Sequence, residues 1–237
     1  MWILLGSGLC LMIHFGSWVW SLDETTLTHS LLFVTAHPLV IIVGLWLLGR
    51  PASRNEAIGA IVGFTGAAIA IMGAGSETGA SVVGDLLAFL GAVSVVGYLA
   101  AGRVLRSWMP LFLYAFPVTA IAAIGLAIAS VLIEGAPIGM VSEGVLGWAM
   151  LAWIPYVAYL ALGPGLLGHT GINGVLRWIP PLVVSVTLVM EPLIGSIMGW
   201  ALGLDSIPGI WTWIGGPLMI LGTLIVTMEL SKGDEEE

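Results

Sequence analysis

The sequence predicts an all-α integral membrane protein of about eight transmembrane helices, and three observations carry that prediction. The first is composition. The chain has 237 residues, 59% of them hydrophobic and 8% charged, with a mean hydropathy of +1.08. Soluble domains carry about 25% charged residues, so this chain cannot cover a water-facing surface. The second is run length. Apolar runs fall at 2–22, 27–48, 56–73, 83–103, 110–133, 150–176, 181–203 and 208–229. Most have the roughly 20 residues that a bilayer requires, and they lack the alternation of a barrel strand. The third is charge. If alternate loops are assigned to opposite sides, all six basic residues (Arg50, Arg54, Arg103, Arg106, Arg177, Lys232) fall on the side of the two termini. The other side takes Asp23, Glu24, Glu77, Asp85, Glu134, Glu143 and Asp205. The positive-inside rule then places both termini in the cytoplasm of a multi-pass protein of the plasma or inner membrane.

Taken in order, the elements carry recognisable signals. The first run has no Lys or Arg before it and no small-residue cleavage site, so it reads as a retained span rather than a leader. Ser53 followed by Glu56 is a capping box that opens the third helix. In the sixth span, Pro155 and Gly163-Pro164-Gly165 are expected to bend or break the helix. Asp205-Ser206 before Pro208 starts the eighth. Gly59, Gly63 and Gly66, and again Gly195, Gly199 and Gly203, form stripes of small residues that admit a close neighbour. The net charge of −8 is concentrated in part in the tail Asp234–Glu237, which reads as a solvated end. Nothing basic suggests nucleic acid, and the single Cys10 excludes an intrachain disulfide or a multi-cysteine metal site.

The chain repeats itself. PLVIIVGLWLLG (38–49) and PLIGSIMGWALG (192–203) share Pro, Leu, Trp and Gly at an offset of 154. Ile58-Gly59 through Gly66 resembles Ile214-Gly215 through Gly222 at an offset of 156, and HFGSW (14–18) resembles HTGIN (169–173) at 155. Spans one to three therefore match spans six to eight. The distance of five spans is odd, so the copies cross in opposite directions, as in the inverted repeats of secondary transporters. This gives a three-helix first repeat (1–75), a five-helix second repeat (83–230) and an acidic tail (231–237). The first repeat is two spans short of the second, which leaves either a truncated product or a natural eight-span form, and a groove that a second copy fills in a homodimer.

These motifs resemble the EamA type of the drug/metabolite transporter superfamily. The resemblance rests on HFGSWVWSL (14–22), Ser30…Pro38 ending in Leu48-Gly49, Gly84-Asp85, LLGHTGINGVLRW (166–178) and Ser185…Glu191-Pro192, and it covers essentially the whole chain. It implies a ten-helix bundle of two inverted five-helix repeats, here without the first hairpin, that moves small metabolites such as amino acids. The first repeat ends Gly49-Arg50 where the family often has Gly-Glu.

Glu191 leads the candidate residues, because a carboxylate inside hydrocarbon costs about 2.5–3.5 kcal/mol on insertion scales and is kept for a reason. It can bind a substrate amine or exchange a proton; the structural alternative is a neutral carboxyl bonded to a neighbouring helix. Pro192 and Pro38 are the hinge candidates. His37 precedes Pro38 as Glu191 precedes Pro192, which makes it a second wall of a central cavity or a histidine bonded to a backbone carbonyl. His14 with Trp18, and His169 with Asn173, lie four apart on their helices and complete the substrate-binding set, with packing as the alternative for both histidines. No histidine pair has ligand spacing, so no metal or cofactor is expected, and the glycines form no phosphate loop. Arg103, Arg106 and Arg177 read as anchors at the basic side, and His29 as an outer-end residue. The expected activity is a non-enzymatic carrier working by alternating access on a small-molecule substrate. The alternatives are a non-transporting fragment or partner subunit, and an integral-membrane enzyme for which no nucleophile motif is present.

Overall fold

The computed structural model describes residues 1–72, 81–203 and 209–236. Within them the chain is helical, and no strand occurs. The helices are α1 (Trp2–Glu24), α2 (Leu27–Val34), α3 (His37–Leu47), α4 (Arg54–Met72), α5 (Val82–Arg106), α6 (Leu111–Ala129), α7 (Ile154–Leu160), α8 (Gly171–Val175), α9 (Pro181–Leu188), α10 (Glu191–Ala201) and α11 (Ile210–Glu236). Among the described residues, five helices are long and apolar enough to cross a membrane, counting the α2–α3 pair from His29 to Leu47 as one: with it stand α1, α5, Leu111–Glu134 and Ile210–Glu229. Helical segments also occupy the three other expected positions, at α4, at 154–175 and at 181–201. The outer faces agree with a lipid setting. On α6 the small or buried side is Tyr114, Ala115, Val118 and Ala122, whereas Phe112, Leu113 and Phe116 point outward, Phe116 with 77% of its surface free. This is a membrane helical protein.

Local signals account for the helix ends. The capping box at the start of α4 is complete: Glu56 N–H donates to Ser53 Oγ at 3.1 Å, and Ser53 N–H donates to Glu56 Oε2 at 2.8 Å. Asp85 stands in the first turn of α5 and Arg103 and Arg106 in its last, each sign favoured by the helix dipole. The expected break at Gly163-Pro164-Gly165 is instead a rewinding. Residues Ala161–Thr170 run as a π-helix between α7 and α8. Pro164 supplies no N–H to an α-type ladder, and two glycines beside it tolerate the wider turn. A second π turn, Ser130–Glu134, ends α6 at Gly135, whose φ of +69° suits glycine. The Asp205-Ser206-Pro208 start and Glu77 lie outside the described residues.

By packing the chain divides into two units, Met1–Gly16 with Gly97–Ile179, and Ser17–Val96 with Pro180–Glu237. Helices α1 and α5 contribute to both. The first unit is centred on fully buried Tyr98, Leu99, Tyr114, Val118 and Leu176.

In the second unit the segments matched in sequence form helices of matching length. Helices α2 and α9 have 8 residues each, and α3 and α10 have 11 each. Their starts keep the sequence offset, 181 − 27 = 154 and 191 − 37 = 154. Each pair is a helical run interrupted after its first eight residues. At the breaks Ala36 N–H donates to Phe33 O at 3.3 Å and Met190 N–H to Thr187 O at 3.1 Å, equivalent three-residue turns. The cause is proline: Pro38 and Pro192 stand at the start of the second halves and have no N–H to give the carbonyls of Val34 and Leu188. Both second halves end alike, at Gly49 (φ +69°) and Gly203 (φ +68°).

Helices α4 and α11 pack against each other along their length, antiparallel, with glycine on glycine. A Cβ on Gly59 would stand 2.8 Å from Gly222 O, and one on Gly66 would stand 2.7 Å from Gly215 O. In the repeat Gly59 is the equivalent of Gly215, and Gly66 of Gly222. The crossing is thus reciprocal: each glycine meets the equivalent of the other, the pattern of an isologous two-fold contact. Ala67, Ala70, Val189 and Met219 close a small core beside it. The contacts of Gly195 and Gly199 are not among those described.

Candidate functional site

The expected site residues fall in both units. Glu191, His37 and Trp18 belong to the second, and His14, His169 and Asn173 to the first.

In the second unit the broken spans position the two polar residues that precede proline. His37 opens α3, is buried, and its Nδ1 lies 2.6 Å from Ser185 Oγ on α9, itself fully buried. Helix α3 packs against α9, which is what brings residues 148 apart in sequence together. Glu191 opens α10, with its side chain exposed at the N-terminal end of the half-helix. The equivalents therefore differ in setting: the histidine is engaged by a serine, and the carboxylate stands at a surface of the protein. Trp18, half-buried on α1, accepts at its carbonyl from Ser21 Oγ at 2.6 Å. Ser21 Oγ in turn lies 2.6 Å from Ser30 Oγ and ties α1 to α2.

In the first unit His14 and His169 flank one aromatic ring. Phe15 lies 5.1 Å from the His14 ring and 5.1 Å from the His169 ring, the latter edge-on. His169 stands in the last turn of the π-helical stretch, and its Nδ1 is buried and meets no hydrogen-bond partner among the described residues. Asn173, the residue expected beside it, is 3% exposed, and its Oδ1 accepts from Tyr98 Oη at 2.7 Å. The amide is therefore one knot of a buried network. The Tyr98 and Tyr114 rings stack at 6.5 Å, and Tyr114 Oη lies 2.7 Å from Ser7 Oγ. Arg106, read from sequence as a surface anchor, is 4% exposed; its Nε donates to Asn173 O at 2.9 Å and its Nη1 to Met109 O. Removing one partner from such a network exposes the full desolvation cost of the other, about 1–3 kcal/mol. Asn173→Ala is accordingly expected to lower stability by about that amount, and much of the loss should vanish when it is measured in a Tyr98→Phe background. Thermal unfolding of the four proteins of that cycle checks this.

Sequence reasoning passed over three of these residues. Ser185 stood in the quoted Ser185…Glu191-Pro192 motif, and six residues upstream of the carboxylate was the available signal. Tyr98 gave none. His29 lay at a helix end, yet its Nδ1 is 3.1 Å from Asp85 Oδ2, and Thr25 Oγ1 donates to Asp85 Oδ1 at 2.9 Å. This cluster pins the α1–α2 turn to the start of α5 within the second unit. Asp85→Asn is expected to cost about 1 kcal/mol, the value of a partly exposed pair with one extra hydrogen bond. A melting temperature equal to wild type would exclude that role.

No group of three or more His, Cys, Asp or Glu suited to a metal occurs among the described residues. No protein-family model matches the chain, and no curated protein matches it. Solved structures do. One, described only as a crystal structure of protein, aligns with a TM-score of 0.72 over 96% of this chain and 76% of its own, at 20% identity. At that identity the likeness shows a shared fold.

Proposed function

We propose that this chain is an EamA-like carrier of the drug/metabolite transporter kind, moving a small metabolite such as an amino acid by alternating access across eight spans, with both termini cytoplasmic. The observation that carries the reading is the reciprocal, antiparallel crossing of α4 with α11 at repeat-equivalent glycines. Equivalent helices that run in opposite directions are related by a two-fold axis perpendicular to them, and for spanning helices that axis lies in the membrane plane. The two broken spans support it further. Transporters of inverted-repeat design interrupt equivalent helices and place polar groups at the interruptions. Here the interruptions carry His37 and Glu191.

In this reading Glu191 is the charged contact for the substrate or a coupling proton, and the Pro38 and Pro192 breaks let the half-helices tilt. His37 is oriented by Ser185. None of these groups needs a cofactor.

The test is counterflow into proteoliposomes that hold the purified chain, with a panel of amino acids and related amines and acids. Saturable exchange of at least one solute, absent from liposomes without protein, is the expected result. A panel that shows no protein-dependent exchange, with the protein folded, favours the non-transporting partner instead.

A further inference from the structure

Positive charge without a matching acid gathers at one end of the first unit. Arg103 and Arg106 stand one turn apart in the last turn of α5. Both reach carbonyls at the end of α8: Arg103 Nη1 donates to Leu176 O at 2.9 Å, and Arg106 Nε to Asn173 O at 2.9 Å. The Leu176 carbonyl belongs to the peptide that joins it to Arg177, so a third guanidinium springs from the same place. It lies over the Trp178 ring, 5.7 Å from the centroid.

Helix-end carbonyls carry partial negative charge, but α8 has only 5 residues, and its carbonyls offset little of three full charges. Among the described residues none of these arginines is paired with a carboxylate. The donors are also unevenly spent. A guanidinium has five N–H groups. Arg106 is buried and commits Nε and Nη1, whereas Arg103 is half-buried and Arg177 exposed. Two exposed indoles, Trp108 and Trp178, neighbour the cluster in sequence. Tryptophan collects at the headgroup level of a bilayer, and a planar guanidinium grips a phosphate through two parallel N–H bonds.

We propose that Arg103 and Arg177, held in place by the buried Arg106, bind the phosphate headgroup of an anionic membrane lipid. The lipid supplies the missing negative charge at the depth where its phosphate lies, and the two tryptophans bracket its glycerol region.

The experiment is native mass spectrometry of the detergent-solubilised full chain, titrated with phosphatidylglycerol or with phosphatidylcholine. The first bound lipid is expected to favour phosphatidylglycerol. One basic residue near an anionic headgroup is worth about fivefold in binding. Arg177→Gln, at an exposed position, should reduce the preference about that much without changing the melting temperature. Arg103→Gln should act alike, and the control Arg54→Gln should leave the preference as it was. Equal affinity for the two lipids would overturn the proposal. So would a preference untouched by Arg177→Gln, or one reduced as much by Arg54→Gln, which would mark a bulk surface-charge effect. Excess inorganic phosphate should not displace the lipid; if it does, the site is one for free phosphate and the lipid assignment fails.

Discussion

Gly222→Leu is expected to lower the stability of the protein by about 3 kcal/mol, at the upper end of overpacking costs, which for a chain of this size is a fall of about 10 °C in melting temperature. A Cβ at 222 would stand 2.5 Å from Gly59 O and 2.5 Å from Gly63 Cα, and against the Gly63 nitrogen as well. All three are backbone atoms, so no rotamer change relieves the contact and the two helices must separate. Separation is costly in this setting. Lipid tails are as apolar as leucine, so helix association depends on close packing and on carbonyl contacts that only glycine permits. The reciprocal arrangement doubles the loss, because pushing α11 away at 222 also opens the equivalent contact between Gly66 and Gly215. Gly44→Ala is the contrast. A Cβ there meets nothing within 4 Å, and alanine is the better helix former by about 1 kcal/mol. That protein should melt at or above the wild-type temperature. If the two variants melt together, the crossing is not what holds the second unit.

The glycines and prolines were readable because their effects are local. A proline removes one donor from the hydrogen-bond ladder wherever it stands, so hinges at Pro38 and Pro192 were legible in sequence, as was the capping box at Ser53; helices α6 and α11 nevertheless run on through Pro117 and Pro217. The matching helix lengths were readable for a related reason: similar local rules at an offset of 154 produced helices of identical length. What was hidden depends on which helix lies against which. His37 meets Ser185, and Tyr98 meets Asn173, only because α3 packs on α9 and because α8 follows a π-wound stretch that rotates it. No spacing within a helix reports that. Arg106 shows the same limit. Its place at the end of an apolar run fits an exposed anchor, and the Asn173 carbonyl of a five-residue helix together with the Met109 carbonyl explain why it is buried.

Under the proposed carrier function, Glu191→Gln is expected to reduce protein-dependent exchange of a solute more than tenfold while it changes stability by less than about 1 kcal/mol. The first half of that statement separates two roles. A carboxylate at the first turn of α10 interacts favourably with the helix N-terminus, and that alone is worth about 0.3–1 kcal/mol. Glutamine keeps the shape and most of the hydrogen-bonding capacity, so a purely structural Glu191 would show that small loss of stability and normal exchange. A carboxylate that carries a substrate amine or a proton across the membrane loses its function with its charge. Ser185→Ala supplies the comparison on the other broken span. It removes a buried partner of His37 without altering any charge, so it should cost about 1 kcal/mol of stability and reduce exchange far less than Glu191→Gln. The difference follows from the two settings of equivalent positions. His37 is buried against a serine and has its hydrogen bond already, while Glu191 keeps accessible surface at its half-helix end. Exchange that survives Glu191→Gln but fails in Ser185→Ala would move the charged step of the cycle from α10 to α3.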